Sequence, residues 1–279
     1  VWLALVAASC ALAGPAFAEP DAAAAPSPAR LHAAGGGGAV LSDPSSIEPF
    51  LDGYVAHAMA DQYPPGMMIA VATRDGVFVK AYGLADAGNN IPATEETLFR
   101  IASISKTFVW TAVMMLVDEG KLALDADVDS YLKTVKVGAR GLAPVTLRDL
   151  MAHRPGFEDT LGDFFQSKSG RSFEEALGHT RPKRVARPGE RTSYSNWGTD
   201  LAAQIVADVT GTPFDVFVAT RILKPIGMSS TIQHDPRSIS GEALNDPALE
   251  ARLAAPHRLD GGAPTVMIHD ALDPLHASG

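Results

Sequence analysis

From Val109 to Val117 the chain is apolar except for Thr111. Such a run is too long for a typical strand and apolar on every face, so it predicts a helix buried on all sides. Polar residues gather only at its start, in Ala102-Ser103-Ile104-Ser105-Lys106-Thr107. Ser103 and Lys106 stand three apart, which on a helix places them on one face, one turn from each other. A hydroxyl beside an amine is the outline of a nucleophile with its base. Serine attacks only when a neighbour takes its proton, and a helix N-terminus favours developing negative charge. Keeping a lysine neutral at pH 7 from its usual value near 10.4 costs roughly 4 to 5 kcal/mol, at about 1.36 kcal/mol per unit. Desolvation by Ile104, Phe108 and Trp110 would supply part of that.

The spacing alone carries little weight. Ser130 and Lys133 repeat it behind Asp125, Asp127 and Asp129, but no apolar helix follows to bury that lysine, and the second copy is read as coincidence. Ser103 by itself also fits an ordinary helix cap.

Ahead of this centre, residues 1–18 are apolar, rich in alanine and end Ala16-Phe17-Ala18. That pattern fits a secretory signal peptide, with an uncleaved anchor as the alternative. Cys10, the only cysteine, lies inside it. It is read as a bystander and not as a lipid attachment point, which leaves the mature chain without disulfides or a cysteine-based metal site. Residues 19–44 are mostly alanine, proline and glycine and read as a flexible linker. Folding is expected to begin near Ser45, where Ile47, Phe50, Leu51, Tyr54, Val55 and Ala58 recur at helical spacing and Ser45 with Glu48 forms a possible capping box. Gly66 to Thr73 and Val77 to Tyr82 flank Arg74-Asp75-Gly76 as the two strands of a hairpin, which needs further strands for stability.

Beyond the central helix, Thr146 caps a short helix that runs to Ala152. His153 ends it, and a structural role there is preferred over a place in a Ser-His-Asp triad. Five basic residues lie between Arg181 and Arg191; a solvated loop is preferred over a guide for acidic substrates. Ser193-Tyr194-Ser195-Asn196-Trp197 then precedes two helices, one carrying Leu201, Ile205 and Val209 and stopping at Gly211, the other starting at Thr212-Pro213. Past about Arg237 no element is assigned. A net charge of −9 argues against a nucleic-acid surface.

Ser103, Lys106, Tyr194 and Asn196, in that order and separation, resemble the serine hydrolases related to class C β-lactamases, penicillin-binding DD-peptidases and family VIII esterases. The blocks Asn90-Ile91-Pro92, Leu98-Phe99-Arg100, Leu150-Met151-Ala152-His153 with Pro155-Gly156-Phe157, Pro188-Gly189-Glu190, and Pro225-Ile226-Gly227-Met228 extend the resemblance over about residues 45 to 235. It implies an α/β (α+β) two-domain fold, β-lactamase/transpeptidase-like: an antiparallel sheet flanked by helices, joined to a mostly helical domain, with the active site between them. It also implies roles. Ser103 would attack a carbonyl to give an acyl-enzyme, with its backbone N–H as one oxyanion donor. Lys106 and Tyr194 would remove and return the proton as a pair. Asn196 would bind Lys106 and the substrate amide.

One family feature is missing: no Lys-Thr-Gly or His-x-Gly strand is found, and His276-Ala277-Ser278-Gly279 has the wrong spacing. The expectation is a domain over residues 45–279 that stops before that motif, its remaining strands absent. Losing one oxyanion donor costs about 10² to 10³ in rate, so this chain is expected to be nearly inactive beside a full-length product.

The leading function is an exported, periplasmic or secreted serine hydrolase that needs no cofactor or metal. It would take a small-molecule or short-peptide amide or ester, bind no nucleic acid, and keep no stable hold on a membrane after signal cleavage. The alternative is a catalytically silent relative that binds cell-wall peptide or a partner protein. No G-x-S-x-G elbow, H-E-x-x-H helix or phosphate loop competes. β-Lactam, D-Ala-D-Ala peptide, D-amino acid amide and short ester all suit the same core.

Overall fold

The computed structural model describes residues 44–62, 64–73, 76–138, 141–158, 172–232, 247–260 and 263–266. The expected signal peptide, and the linker up to residue 43, lie outside them. The described chain divides into two units, one built from residues up to Thr97 together with 254–266, the other running from Leu98 to Leu253.

The first unit holds helix α1 (Pro44–Gln62) and two small sheets. The hairpin forms as its turn signal predicts: β1 (Gly66–Ala72) pairs antiparallel with β2 (Val77–Asp86), with Ile69 opposite Lys80 and Ala72 opposite Val77. A short β3 (Ile91–Pro92) adds to the other edge of β2, with the register shifting between Leu84 and Asp86. The third strand meets the hairpin's need for a partner, and among the described residues β1 pairs with β2 alone. Helix α1 buries Ile47, Leu51 and Val55, one per turn, while Phe50 and Tyr54 stay exposed. Its apolar stripe is therefore narrower than the sequence pattern. The proposed Ser45 cap falls on a side chain outside the described residues. Polar contacts complete the packing: Lys80 Nζ donates to Glu48 Oε1 at 2.6 Å and to Asp52 Oδ1 at 2.8 Å, and Tyr82 donates to the same Asp52 oxygen at 3.0 Å. The Lys80 hydrogen bond holds the Asp52 carboxyl below its usual range. Burial and the bond to Asp52 push the Tyr82 phenol up to about 12.

A second hairpin, β4 (His257–Asp260) with β5 (Ala263–Val266), forms in the stretch left unassigned by sequence. Its signal is the Gly261-Gly262 pair between two short runs. Two bonds tie its approach to β2 and the turn after it: Ala255 N–H donates to Ala85 O, and Ala87 N–H donates to His257 Nε2, both at 2.9 Å.

The second unit is helical: α2 (Lys106–Asp118), α3 (Leu147–Met151), α4 (Phe173–His179), α5 (Asn196–Thr210), α6 (Phe214–Val218) and α7 (Pro247–Glu250). Helices α2 and α5 form its centre, with Val109, Val113 and Leu116 in one buried cluster with Leu201 and Ile205. The expectation of a helix buried on all sides is corrected here. Thr107, Thr111 and Met114 face outward, Met114 at 42% exposure. Both threonines bond back onto the helix, to Ile104 O and Thr107 O at 2.7 Å each, so the outward face leaves no hydroxyl wanting a partner. Thr146 caps α3 as expected, in a reciprocal box with Asp149. Helix α5 starts at the Ser195 cap, whose hydroxyl accepts from Gly198 N–H, and ends at Gly211 with φ +68°.

Candidate active site

Two helix starts meet at Ser103. It sits in a 3₁₀ turn over Ala102–Ser105 that leads directly into α2, and Lys106 is the first residue of that helix. Tyr194 lies one residue before the α5 cap, and Asn196 is the first residue of α5. Ala102 holds a left-handed φ of +44°, a conformation that costs a non-glycine residue roughly 1 to 2 kcal/mol. Strain of this kind beside a reactive side chain is a common mark of a functional site.

The four residues singled out by sequence come together. Lys106 Nζ donates to Ser103 Oγ at 2.9 Å and to Asn196 Oδ1 at 2.8 Å. Tyr194 donates its phenol hydrogen to Ser103 Oγ at 2.8 Å. The Lys106 nitrogen lies 4.9 Å from the centre of the Tyr194 ring. Exposure divides the roles: Ser103 and Tyr194 are open to solvent while Lys106 is 5% exposed. A reachable oxygen is thus held between a covered amine and a phenol, both at proton-transfer distance. A hydroxyl cannot carry its own hydrogen toward either neighbour while both donate to it. One of the two must present a lone pair before Ser103 can lose its proton.

His153 belongs to this cluster, which the sequence pattern did not foretell. Its ring stacks on Tyr194 with centroids 4.2 Å apart and planes 29° from parallel. Nδ1 accepts the Ser195 N–H at 3.2 Å, and the backbone carbonyl accepts the Ser193 N–H at 2.8 Å. Burial, with the positive charge of Lys106 adding to it, holds the imidazole below its ordinary value of 6.5. The available signal was the place of His153 at a helix end inside a recurring block, which gives position and no contact.

Other candidates stay apart. Ser130 Oγ donates to the Asp127 carbonyl at 2.6 Å in a local turn, and the Lys133 backbone N–H donates to Asp208 Oδ2 of α5 at 2.8 Å. In the basic stretch, Arg181 and Arg184 each bond a backbone carbonyl, Lys136 O and Gly138 O, at 2.9 Å. They fasten neighbouring loops. Among the described residues, no group of three or more His, Cys, Asp and Glu is placed to hold a metal ion.

Comparison with known proteins bears on this geometry. The sequence profile described as Beta-lactamase matches residues 51–264. Protein flp of Staphylococcus aureus (strain N315) is 28% identical over 185 residues, 65% of this chain and 37% of that protein. The D-alanyl-D-alanine-carboxypeptidase/endopeptidase AmpH of Escherichia coli (strain K12) is 25% identical over 199 residues, 68% of this chain and 51% of that one. The chain thus spans about half or less of the length of these relatives. Among solved structures, the octameric penicillin-binding protein homologue from Pyrococcus abyssi superposes with a TM-score of 0.65 at 26% identity, covering 78% of this chain and 50% of that one. A class C beta-lactamase gives 0.63 at 22% identity over 84% of this chain and 60% of its own, a likeness of fold alone.

Proposed function

This chain belongs to the Beta-lactamase family, and from that membership and the geometry around Ser103 we propose that it is an exported serine hydrolase cleaving an amide or ester through an acyl-enzyme. The observation that carries the reading is the shared oxygen: Ser103 Oγ lies within 2.9 Å of both Lys106 Nζ and Tyr194 Oη. Attack by Oγ on a substrate carbonyl forms a C–O bond as the hydroxyl proton passes to the Lys106 and Tyr194 pair. The carbonyl then re-forms, the bond to the leaving nitrogen or oxygen breaks, and the pair returns the proton to the leaving group. Water repeats the sequence against the acyl ester and frees Ser103. Asn196 holds the Lys106 nitrogen in line by accepting from it and offers its amide to the substrate. The start of α2 and the Ser103 N–H stabilise the oxyanion.

The carboxypeptidase/endopeptidase name of AmpH supports a D-alanyl peptide as the acyl donor, and the description of the matched profile supports a β-lactam. The sequence of residues 1–18 supports export to the periplasm or beyond. The test is turnover of a panel made of a chromogenic β-lactam, a D-Ala-D-Ala peptide, a D-amino acid amide and a short nitrophenyl ester. It uses the complete translation product of the reading frame, with Ser103→Ala beside it. Turnover of at least one substrate, lost in the variant, is expected. Turnover that survives in Ser103→Ala, or none on any member, overturns the reading.

A further inference from the structure

Tyr194 is 49% exposed and precedes its helix, so its own packing does little to fix the direction of its phenol. Beyond the phenol's bond to Ser103 Oγ and the Lys106 amine 4.9 Å from its ring centre, the contacts that hold it converge on one residue. His153 takes the N–H on either side of Tyr194, Ser193 through its carbonyl and Ser195 through Nδ1, and lays its ring against the phenol ring between them. The backbone of His153 is itself left-handed, with φ +52°, which turns the side chain back over the 193–195 segment as α3 ends. From this bracket we propose that His153 is the positioning residue of Tyr194, holding the phenol on Ser103 Oγ as a neutral imidazole whose hydrogen sits on Nε2. The proposal rests on the acyl-enzyme reading above.

The chemistry demands that tautomer. A backbone N–H pointing at Nδ1 needs a lone pair there, so protonation of Nδ1 would set two donors against each other and loosen the segment. Among the described residues, the charged and titratable groups around the ring are few. Lys106 faces it from α2, and Tyr194 is its stacking partner. On its own element, Arg154 turns to the Gly189 carbonyl and Asp149 to Thr146. A second positive charge beside Lys106 would be repelled, which acts in the same direction as the lone-pair requirement.

The experiment measures covalent labelling of the complete translation product by a fluorophosphonate, separating the maximal rate from the half-saturating concentration. Five proteins are compared: parent, His153→Phe, His153→Asn, Tyr194→Phe and the double His153→Phe, Tyr194→Phe variant. His153→Phe keeps a ring and loses the acceptor. It is expected to lower the maximal rate about 10-fold to 30-fold with little change in half-saturation, since the phenol is misdirected and the probe's own site is intact. In the Tyr194→Phe background the same change is expected to cost nothing further, because a residue acting through the phenol has nothing left to position. His153→Asn, which accepts the Ser195 N–H and tolerates the left-handed backbone, is expected to recover part of the loss. Costs that multiply in the double variant, or a parental rate in His153→Phe, would overturn the proposal.

If the variants do not fold, nitrogen-15 NMR of the parent decides: an unprotonated Nδ1 at neutral pH supports the bracket, and a protonated one overturns it. A parent that never labels would sink the hydrolase reading, whereas the protonation state of Nδ1 would still decide the role of His153.

Discussion

Replacing Lys106 by methionine removes the amine and keeps most of the side-chain volume at a site that is 5% exposed. Two consequences follow from the contacts, and they differ in size. Ser103 Oγ loses the nitrogen at 2.9 Å that would take its proton, and a positioned acid–base group contributes about 10²- to 10⁴-fold to rate, or roughly 3 to 5 kcal/mol of barrier. Stability should change far less. Asn196 Oδ1 loses a donor at 2.8 Å, a penalty of about 1 to 3 kcal/mol, while relief of an amine held out of water offsets it. The expected result is a folded protein whose labelling at Ser103 is slower by two to four decades. Lys106→Arg sharpens the meaning, because guanidinium keeps the charge and the donors but cannot accept a proton at any accessible pH. Arginine is therefore expected to rescue nothing. Measured by intact mass against time with a fluorophosphonate, a methionine variant within threefold of the parent would refute Lys106 as the acceptor. Rescue by arginine would recast it as an electrostatic anchor.

Three further outcomes test the frame around the site. Leu116→Ala empties a position with no solvent exposure in the α2–α5 core and should cost about 2 to 5 kcal/mol in denaturant unfolding; less than 1 kcal/mol would mean the core is not centred there. Gly156 holds φ +79°, and a Cβ there would lie 2.2 Å from the Ala186 carbonyl oxygen. Gly156→Ala should therefore cost about 2 to 4 kcal/mol from left-handed strain and overpacking, read as a lowered midpoint. Because His153 is held below its ordinary value, its contribution to stability is complete above the unfolded value near 6.5 and is lost as pH falls through the lower folded value. Unfolding midpoints taken from pH 7.5 downward should fall more steeply for the parent than for His153→Asn; parallel slopes would contradict this.

The legible parts of the fold were local. The β1–β2 hairpin followed from a turn signal between two apolar runs, and α3 from its Thr146 cap. Ser103 and Lys106 shared a turn by spacing, but their meeting with Tyr194 and Asn196 across 90 residues was visible only through resemblance to a family. Nothing in a linear pattern says which helix starts will converge. His153 was missed for that reason: its partners lie about 40 residues away, and both hydrogen bonds there are donated by backbone N–H groups, which leave no mark in composition. The outward face of α2 was missed because hydropathy reports what a residue tolerates and not what lies against it, and Met114 tolerates water. The β4–β5 hairpin is four residues a strand, too short for alternation to stand out from its surroundings.

The most direct measurement is peptide mapping by mass spectrometry of the complete translation product after brief exposure to a labelled penicillin and, separately, to a fluorophosphonate. One adduct per chain is expected, on the peptide carrying Ser103, absent in Ser103→Ala. An adduct on any other residue, or none with either probe from a correctly folded protein, would contradict it.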